Sequence, residues 1–401
     1  MAETDTKEKL KHLGKLEKDI LQCISCGDCR EATDYTKNPP KWGVCVAREN
    51  SPGFDPFYGR GKMQIIRSLW QGKLDLSKDM ANVIYQCPTC NACASTCYYG
   101  IDCVQYYEAL RADLVDAGCG LDAHQAMNQA LHEKLNPYDQ DNARKMDWIE
   151  NLGFDVKRAG VDTADVLYFA GCTAALLPDV QAIAIKTASV LRKLGVDYAV
   201  LGDREICCGS VAARTGDRST FRAIAEKNAA LLRESGIKTI MTSCAGCYRT
   251  LKIDYPGVLD DWDFEILHTA EFLDRFIESN GIQLKNLGYH VTYHDPCHAG
   301  RHVGLYDPPR RILSKIASIS EMKTIKESAK CCGAGGGVKK AFPKLALDIA
   351  KSRLAEAEAT GAEYLVSICP FCNRNLADAA KELGSSMKIK DLVELVDEAI
   401  D

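Results

Sequence analysis

The sequence predicts an α-helical N-terminal domain followed by two copies of an α/β domain. Ten of the 20 cysteines lie within residues 1–160, among short helical stretches, and the other ten form two sets of five about 125 residues apart. Around those two sets, short apolar strands alternate with helices, which is typical of a largely parallel sheet. We therefore expect domains at residues 1–160, 161–285 and 286–401.

Helical and strand periodicity places the elements of these domains. In the first domain, helices are predicted at Asp5–Ile20, Val104–Ala117 and Asp122–Leu135, with a loop at Lys37–Lys41. In the first α/β copy, strands are predicted at Val166–Ala170, Tyr198–Leu201 and Thr239–Thr242, and helices at Asp179–Leu194 and Thr220–Ser235.

Composition and charge exclude several functional classes. The 401-residue chain is 46% hydrophobic and 26% charged, and its formal net charge is −5. A balance this close to neutral argues against nucleic acid as a partner. The sequence contains no apolar run of the ~18 residues that a membrane span needs, and Met1–Asp19 has no apolar signal core. We therefore expect a cytoplasmic protein without a transmembrane segment of its own, in which thiols bind metal rather than form disulfides.

The positions of the later cysteines establish an internal duplication. Offsets of 125, 124, 124, 125 and 125 residues relate the two sets, which are Cys172, Cys207, Cys208, Cys244 and Cys247, and Cys297, Cys331, Cys332, Cys369 and Cys372. Gly236, which ends a predicted helix, recurs as Gly361. Register over this distance indicates that one domain was copied within the chain.

The first domain carries two cysteine triplets with the spacing of cubane 4Fe–4S ligands, Cys23, Cys26 and Cys29, and Cys87, Cys90 and Cys93. In two-cluster ferredoxins the fourth ligand of each run serves the other cluster, so Cys97 is expected to complete the first site. Thr33 stands where the fourth ligand of the second site is expected, and Cys45 is the next available thiol, with Cys103 as the alternative. Structural zinc fits less well because zinc sites take cysteines in pairs. Cys103 and Cys119 otherwise fall outside the pattern and are expected to be buried as small apolar residues.

Each repeat offers five thiols, more than a zinc ion or one ordinary cubane uses. Adjacent cysteines on a strand point to opposite faces, but Gly209 and Gly333, directly after the two pairs, allow the chain to turn so that both thiols bind. The run Gly333–Gly337 fails the dinucleotide pattern and is expected to permit close backbone approach to a cluster or a substrate, with Gly209, Gly333 and Gly335 as cofactor-contacting positions.

This cysteine pattern resembles the cysteine-rich CCG domain, which occurs twice in the catalytic subunit of heterodisulfide reductase. The segments Tyr293–Arg301 and Cys331–Val338 also resemble that family, and the whole chain is similar to the D subunits of the membrane-linked enzymes. The resemblance implies a ferredoxin-like N-terminal domain with two cubane clusters, and one noncubane 4Fe–4S cluster in each repeat.

The resemblance also implies an enzyme that reduces a heterodisulfide, in methanogens the mixed disulfide of coenzyme M and coenzyme B. His298 and Arg301 are the candidate catalytic residues, for proton supply and for binding an anionic substrate. Lys339 and Lys340 are further anion-binding candidates, and His294 is more simply explained as a hydrogen-bond donor near a cluster. Two alternatives remain: an electron-transfer subunit of a flavin-dependent 2-hydroxyacid or glycerol-3-phosphate dehydrogenase, and a reductase of a protein-bound di- or trisulfide.

Electrons have to reach this chain from another protein, because it carries no flavin or nicotinamide motif. The expected partner is an electron-donating redox subunit, either a b-type cytochrome in the membrane or a flavoprotein. The protein would then be cytoplasmic, or held at the cytoplasmic face of the membrane through that partner.

Overall fold

Two compact units make up the computed structural model, which describes residues 9–33 and 41–400. The first unit contains the described part of Met1–Asn128 together with two later segments, Val211–Arg218 and Lys323–Arg353. The second unit contains Gln129–Ser210, Ser219–Met322 and the described part of Leu354–Asp401. The predicted domain boundaries come from the internal duplication, whereas these units are groups of residues that lie close together in space. The units therefore do not test the boundaries, which stay a prediction.

The first unit combines short helices with one antiparallel strand pair, β1 (Glu31–Thr33) and β2 (Lys41–Gly43). Its α-helices are Glu17–Ile20, Val46–Glu49, Gly59–Trp70, Lys78–Ile84, Ala92–Ser95, Cys103–Asp116 and Val338–Ala341. Three more helices cross its limits in the chain, Asp122–Lys134, Ser210–Thr215 and Pro343–Glu358. Two of the predicted N-terminal helices are thus confirmed to within two residues.

The helix Cys103–Asp116 is the centre of the first unit. Asp102 caps it by accepting a hydrogen bond from the Val104 N–H (3.2 Å), which satisfies a donor that the first turn leaves open. Tyr106, Leu110 and Leu114 are buried in the core of this unit. Nearly every position along the helix is buried, as expected of a helix that is covered on several sides.

The continuous helix predicted for Asp5–Ile20 is wrong where the structure describes it. A 3-10 turn at Leu13–Leu16 precedes the short helix Glu17–Ile20. The break has a cause in Asp113, whose carboxylate accepts hydrogen bonds from the backbone N–H groups of His12 (2.9 Å) and Leu13 (3.0 Å). Asp5–Glu8, and the predicted Lys37–Lys41 loop apart from Lys41, lie outside the described residues.

The second unit contains two parallel sheets that share one order of four strands, with a further strand at the edge of the first sheet, which confirms two α/β repeats. The first sheet is ordered β3-β5-β4-β6-β7, from β3 (Lys157–Arg158), β4 (Val166–Phe169), β5 (Tyr198–Val200), β6 (Thr239–Thr242) and β7 (Glu265–His268). The second is ordered β9-β8-β10-β11, from β8 (Tyr289–Tyr293), β9 (Ala317–Ile319), β10 (Tyr364–Ser367) and β11 (Lys388–Asp391). Every described pair in both sheets is parallel.

Helices follow the strands in both repeats. They are Asp147–Glu150, Cys172–Leu176, Ala182–Lys193, Arg218–Ser235, Ala245–Arg249, Thr269–Ser279, Asp307–Ile316, Pro370–Leu383 and Leu392–Ala399, and the short π-helix Thr250–Asp254 extends one of them. The duplicated stop is also observed: Gly236 (φ +69°) and Gly361 (φ +73°) are both left-handed, as a glycine after a helix allows. Among residues 9–33 and 41–400, no helix is long and apolar enough to cross a membrane.

Asp397 joins the two repeats within the second unit. It lies on the last helix and is nearly buried, and its carboxylate accepts from Lys186 (2.6 Å) and Ser189 (2.7 Å) of the helix Ala182–Lys193. Lys193 completes the group at 3.1 Å. Asp397 thus connects the last helix of the second repeat to the helix Ala182–Lys193 of the first.

Candidate metal centres

The first triplet of cysteines lines a cavity in the first unit. Its sulfur-bearing lining consists of Cys23, Cys26, Cys29, Cys93, Cys97 and Cys103. Cys97, expected to be the fourth ligand, thus lies with the triplet it was predicted to complete. Cys26 is exposed, so this cavity lies close to solvent.

The second triplet and Cys45 line a neighbouring cavity, and Cys93 borders both cavities. Cys103 does not line this cavity in the described part of the chain; its thiol is hydrogen-bonded to that of Cys93. Cys45 therefore lines the cavity of the second triplet, whereas Cys103 lines the first cavity and contacts the second triplet at Cys93. Lys62, which the sequence did not single out, also lines this cavity and is buried.

Burial makes the thiols of Cys45 and Cys87 hold their protons unless a cation is bound. It raises the pKa of Cys45 to about 12 and that of Cys87 to about 11, although the Lys62 ammonium lowers both. Ligation needs thiolates, and a bound metal centre supplies the positive charge that stabilises them. Each cavity is lined by at least four cysteine sulfurs, and a 4Fe–4S cluster takes four cysteine ligands.

In the first repeat, five buried sulfurs form one continuous cluster. Hydrogen bonds between thiols connect Cys172 to Cys207, Cys207 to Cys208, Cys208 to Cys247, and Cys247 to Cys244. Cys207 and Cys247 act on Cys208 as donors and lower its pKa to about 6. All five residues are buried. The sharp turn predicted for the pair is present, because Gly209 has φ +79° and its N–H donates to the Cys207 sulfur (3.4 Å).

The cysteines of the second repeat are divided between the two units. The first unit holds Cys331 and Cys332, and the second holds Cys297, Cys369 and Cys372; all five are buried. The turn after the pair repeats the geometry of the first copy, since the Gly333 N–H donates to the Cys331 sulfur (3.3 Å) and Gly333 has φ +88°.

Within the second unit, the cysteines of the two repeats come into direct contact. The thiol of Cys244 in the first repeat is hydrogen-bonded to that of Cys369 in the second. His268, which the sequence did not single out, supports this contact: its Nε2 donates to the Ile368 carbonyl (2.9 Å) and its Nδ1 accepts from Ala270 (3.1 Å). Burial lowers the pKa of His268 to about 4, so the ring is neutral.

The candidate catalytic histidine lies beside the first repeat although it belongs to the second. A Cβ added to Gly246, between Cys244 and Cys247, would lie 4.0 Å from Nδ1 of His298. His298 is nearly buried and meets His302 edge-on, with ring centroids 4.8 Å apart. Arg301 is half-buried, and His294 is fully buried. Of the two lysines, Lys339 is half-buried and Lys340 exposed.

A buried ion pair beside the first repeat's cysteines was missed from the sequence. Lys145 and Glu205 are 1% and 3% exposed, with Nζ 3.6 Å from the carboxylate, and Lys145 also hydrogen-bonds the Cys172 sulfur. The Glu205 carboxylate accepts from the N–H groups of Ala170 and Gly171, each at 2.9 Å. The pair therefore fixes the loop that leads into Cys172. A lone Lys and Glu carry no sequence signal of such a role.

The Gly-rich run makes a close backbone approach, but to the loop of the second cysteine triplet; its predicted approach to a cluster or a substrate stays a prediction. A Cβ at Gly335 would lie 2.9 Å from the Pro88 carbonyl oxygen, and one at Gly336 would lie 2.7 Å from that of Cys87. A Cβ at Gly333 would instead meet Ile349 at 2.7 Å. The run is therefore glycine because the backbone passes against the cysteine loop that heads the second triplet.

Comparison with protein families assigns the same regions. Residues 166–252 and 291–377 each match the cysteine-rich domain termed CCG, and residues 19–101 match the 4Fe–4S dicluster domain. These matches fall on the two repeats and on both N-terminal triplets.

Whole-chain relatives are found among methanogens. The D subunit of the dihydromethanophenazine:CoB–CoM heterodisulfide reductase from Methanosarcina mazei is 41% identical, covering 95% of this chain and 94% of the relative. Its Methanosarcina barkeri counterpart is 37% identical with the same coverage. The B subunit of the fumarate reductase (CoM/CoB) from Methanothermobacter marburgensis is 33% identical over 79% of this chain and 61% of its own. A crystal structure of a hypothetical protein from Helicobacter pylori aligns at a TM-score of 0.58 and 11% identity, covering 89% of this chain and 71% of that one, a likeness of fold alone.

Proposed function

The chain belongs to the family of heterodisulfide reductase D subunits, which are iron–sulfur oxidoreductases, and we propose that it is the catalytic subunit that cleaves a disulfide between two five-cysteine sites. The single observation that carries the proposal is the contact of Cys244 with Cys369, which joins the sulfur clusters of both repeats. Cleaving a disulfide takes two electrons and two protons and yields two thiols, whereas iron–sulfur clusters pass electrons singly. Paired sites resolve that mismatch.

We propose one noncubane 4Fe–4S cluster in each repeat and one cubane cluster in each N-terminal cavity, because each repeat supplies five buried cysteines and each cavity is lined by at least four. Bound there, such clusters supply single electrons and iron that accepts a thiolate. The chain itself holds them through Cys172, Cys207, Cys208, Cys244 and Cys247, through Cys297, Cys331, Cys332, Cys369 and Cys372, and through the two N-terminal sets. The N-terminal domain then acts as a ferredoxin-like relay.

His298 and Arg301 are proposed to act on the substrate. His298 lies against the Cys244–Cys247 loop of the other repeat, where its imidazole could hold the proton for a departing thiolate. Arg301 follows three residues later and carries a permanent charge that suits an anionic disulfide. The substrate we propose is the mixed disulfide of coenzymes M and B, on the strength of the names that the relatives carry.

Electrons are proposed to enter at the first N-terminal cavity from a redox partner, either a membrane b-type cytochrome or a flavoprotein. Cys26 there is exposed, and large apolar side chains nearby in the sequence, Ile24 and Tyr98, are 58% and 87% exposed. An exposed apolar rim beside a cluster ligand is what a partner surface requires. The protein would then act in the cytoplasm or at the cytoplasmic face of the membrane.

Anaerobic EPR spectroscopy of the purified, cluster-loaded protein tests this function. Coenzyme M or coenzyme B added to the oxidised protein is expected to produce a new paramagnetic signal, because each thiol is a product of the proposed reaction. The N-terminal signals should stay unchanged by thiol. Failure of both thiols, with reduction of the N-terminal clusters intact, would contradict disulfide cleavage and support the electron-transfer alternative.

A further inference from the structure

Arg111, on the central helix of the first unit, donates to four backbone carbonyls and is fully buried. Its Nη1 donates to the carbonyls of Arg214 (2.8 Å) and Gly336 (2.9 Å). Its Nη2 donates to those of Ile84 (3.0 Å) and Cys87 (2.6 Å). The guanidinium also lies over the Tyr85 ring, 4.8 Å from its centroid.

These acceptors come from three distant parts of the chain. Cys87 heads the second cubane triplet, Arg214 lies six residues after Cys208, and Gly336 lies four residues after Cys332. One cation thus binds the cysteine loop of a cubane site and the segment that follows the cysteine pair of each repeat. The planar guanidinium is suited to this, since it presents several fixed donors at once.

No side chain separates the backbones at this junction. A Cβ on Gly216 would lie 2.4 Å from the carbonyl carbon of Arg111, and one on Gly336 would lie 2.7 Å from the Cys87 oxygen. Gly216 has φ +88°, a conformation that other residues rarely adopt. Arg214 is further held by Glu108 of the same helix as Arg111, at 2.9 Å. The junction is therefore rigid as well as close.

We propose that Arg111 is the positioning residue that fixes the second cubane site against the segments leading from both cysteine pairs, so that electrons pass from this cubane to either repeat. Each step moves one electron from the reduced cubane to the cluster of a repeat and transfers no atoms. The buried positive charge beside Cys87 also favours the reduced, more negative cluster, which raises its reduction potential. The inference rests on the proposed function in requiring a cluster at Cys87.

Arg67 provides a matched control. Its Nη2 donates to the carbonyl of Cys23 (2.5 Å), which heads the first triplet, and to that of Leu21 (3.1 Å). Neither acceptor belongs to Val211–Arg218 or Lys323–Arg353. Removing Arg67 should therefore disturb one cubane loop without disturbing the junction with the repeats.

The experiment compares Arg111→Met, Arg111→Lys and Arg67→Met in the full, cluster-loaded protein. Midpoint potentials of both cubane signals are measured by EPR-monitored titration, and the rate at which pre-reduced cubanes are reoxidised by the coenzyme M–coenzyme B disulfide is measured by stopped flow. Arg111→Met should make one cubane potential more negative and slow reoxidation roughly tenfold, since an ångström of misplacement can cost up to about a hundredfold. Arg111→Lys should keep the potential but slow reoxidation, and Arg67→Met should shift the other cubane only.

Unchanged potentials in Arg111→Met, with reoxidation within twofold of Arg67→Met, would overturn the proposal. If Arg111→Met does not fold, hydrogen exchange decides on Arg111→Lys: faster exchange in both Val211–Arg218 and Lys323–Arg353 supports the junction, and unchanged exchange refutes it. Failure of the proposed function gives a different result, because wild-type cubanes would then not be reoxidised by the disulfide while the potential shift in Arg111→Met persisted.

Discussion

The two repeats share the turn that follows each cysteine pair but differ in the charged residues near their cysteines. Strand order, the turn after each cysteine pair, and the glycine N–H that donates to the first sulfur are the same in both. In the first repeat, Glu205 binds the N–H groups of Ala170 and Gly171 and pairs with Lys145. The second repeat has Pro296, which lacks an N–H, in the place of Gly171.

The second repeat therefore uses a different ion pair. Asp295 is 2% exposed and is bound by Arg310 at 2.7 and 2.9 Å, and Arg310 also reaches Glu321. Lys145 hydrogen-bonds a cluster cysteine, whereas Arg310 lies over the Tyr293 ring. The duplication thus preserved the turn after each cysteine pair while the neighbouring charges diverged, so the two sites should differ in reduction potential.

Removal of one paired cysteine has the largest expected effect. Cys208→Ala and Cys332→Ala should each abolish disulfide-dependent turnover, because each removes a sulfur from a site that has to act with the other. The N-terminal clusters should remain reducible in both variants, as followed by EPR. Cys119→Ala is the control, since Cys119 lies outside every cysteine set. Full turnover in either paired-cysteine variant would contradict the two-site mechanism.

Lys145→Met should have the next largest effect, a loss of stability. It removes the cation of the buried ion pair that distinguishes the first repeat from the second. It leaves Glu205 buried without its cation, which costs about 3–5 kcal/mol of unfolding free energy. Lys157→Met is the matched control, because Lys157 pairs with Asp197 at an exposed site and such pairs contribute roughly 0–1 kcal/mol. Anaerobic denaturant titration measures both. Equal losses in the two variants would show that the buried pair has no special role.

Alanine at the two turn glycines, Gly209 and Gly333, should destabilise the repeats to different extents, and the difference should be smaller than the effects above. Alanine at either position costs about 1–2 kcal/mol for left-handed backbone. A Cβ at Gly209 would meet the side chains of Ile224 and Phe221 at 3.1 Å, whereas one at Gly333 would meet the Ala346 carbonyl oxygen at 2.8 Å. Since that backbone cannot yield easily, Gly333→Ala should cost a further ~1–3 kcal/mol. Thermal unfolding measures the stability lost in each variant. A larger loss in Gly209→Ala than in Gly333→Ala would contradict this prediction.

Lowering the pH should weaken the packing of the segment Lys323–Arg353, which His124 contacts through the Gly337 carbonyl. His124 is hydrogen-bonded to the Gly337 carbonyl (2.9 Å), and burial lowers its pKa from 6.5 to about 4. The unfolded chain thus binds the proton more readily between pH 6.5 and 4. Stability is fully present above pH 6.5 and falls by about 1.4 kcal/mol per pH unit below it.

Hydrogen exchange in Lys323–Arg353 measures that effect, with His124→Gln as the variant that removes it. Asn128, which does not titrate, holds Thr215 of the first repeat's segment at 3.1 Å. Exchange in Val211–Arg218 should therefore respond less to pH. A response of equal size in both segments, or one that survives in His124→Gln, would rule out His124 as its source.

Much of this architecture follows from periodic signals in the sequence. Cysteine register, alternating strands and helices, and the helix-ending Gly236 and Gly361 predict the duplication and the parallel sheets because each reports local geometry. Spacing leaves Cys45 or Cys103 as the fourth ligand of the second triplet, and in the structure Cys45 lines the cavity of that triplet.

The remaining features depend on contacts between distant segments, which local patterns do not encode. Lys145 and Arg111 look like ordinary surface residues in the sequence, yet both are buried and hold other backbones in place. The broken N-terminal helix depends on Asp113, some hundred residues later. Gly216 and Gly335 are a weak sequence signal of these contacts. A glycine without a turn to explain it indicates that another backbone passes close by, but it does not identify that segment.

The first unit takes residues from as late as Arg353, and this has a consequence for biosynthesis. A nascent chain that has reached Asn128 still lacks Gly336, and the ribosome needs on the order of ten seconds or more to supply it. Until then the loop headed by Cys87 is without one of the backbones that cover it. Insertion of iron and sulfide at that loop should therefore come late, after the segment Lys323–Arg353 has been translated, and a fragment truncated before residue 323 should fail to retain the cluster.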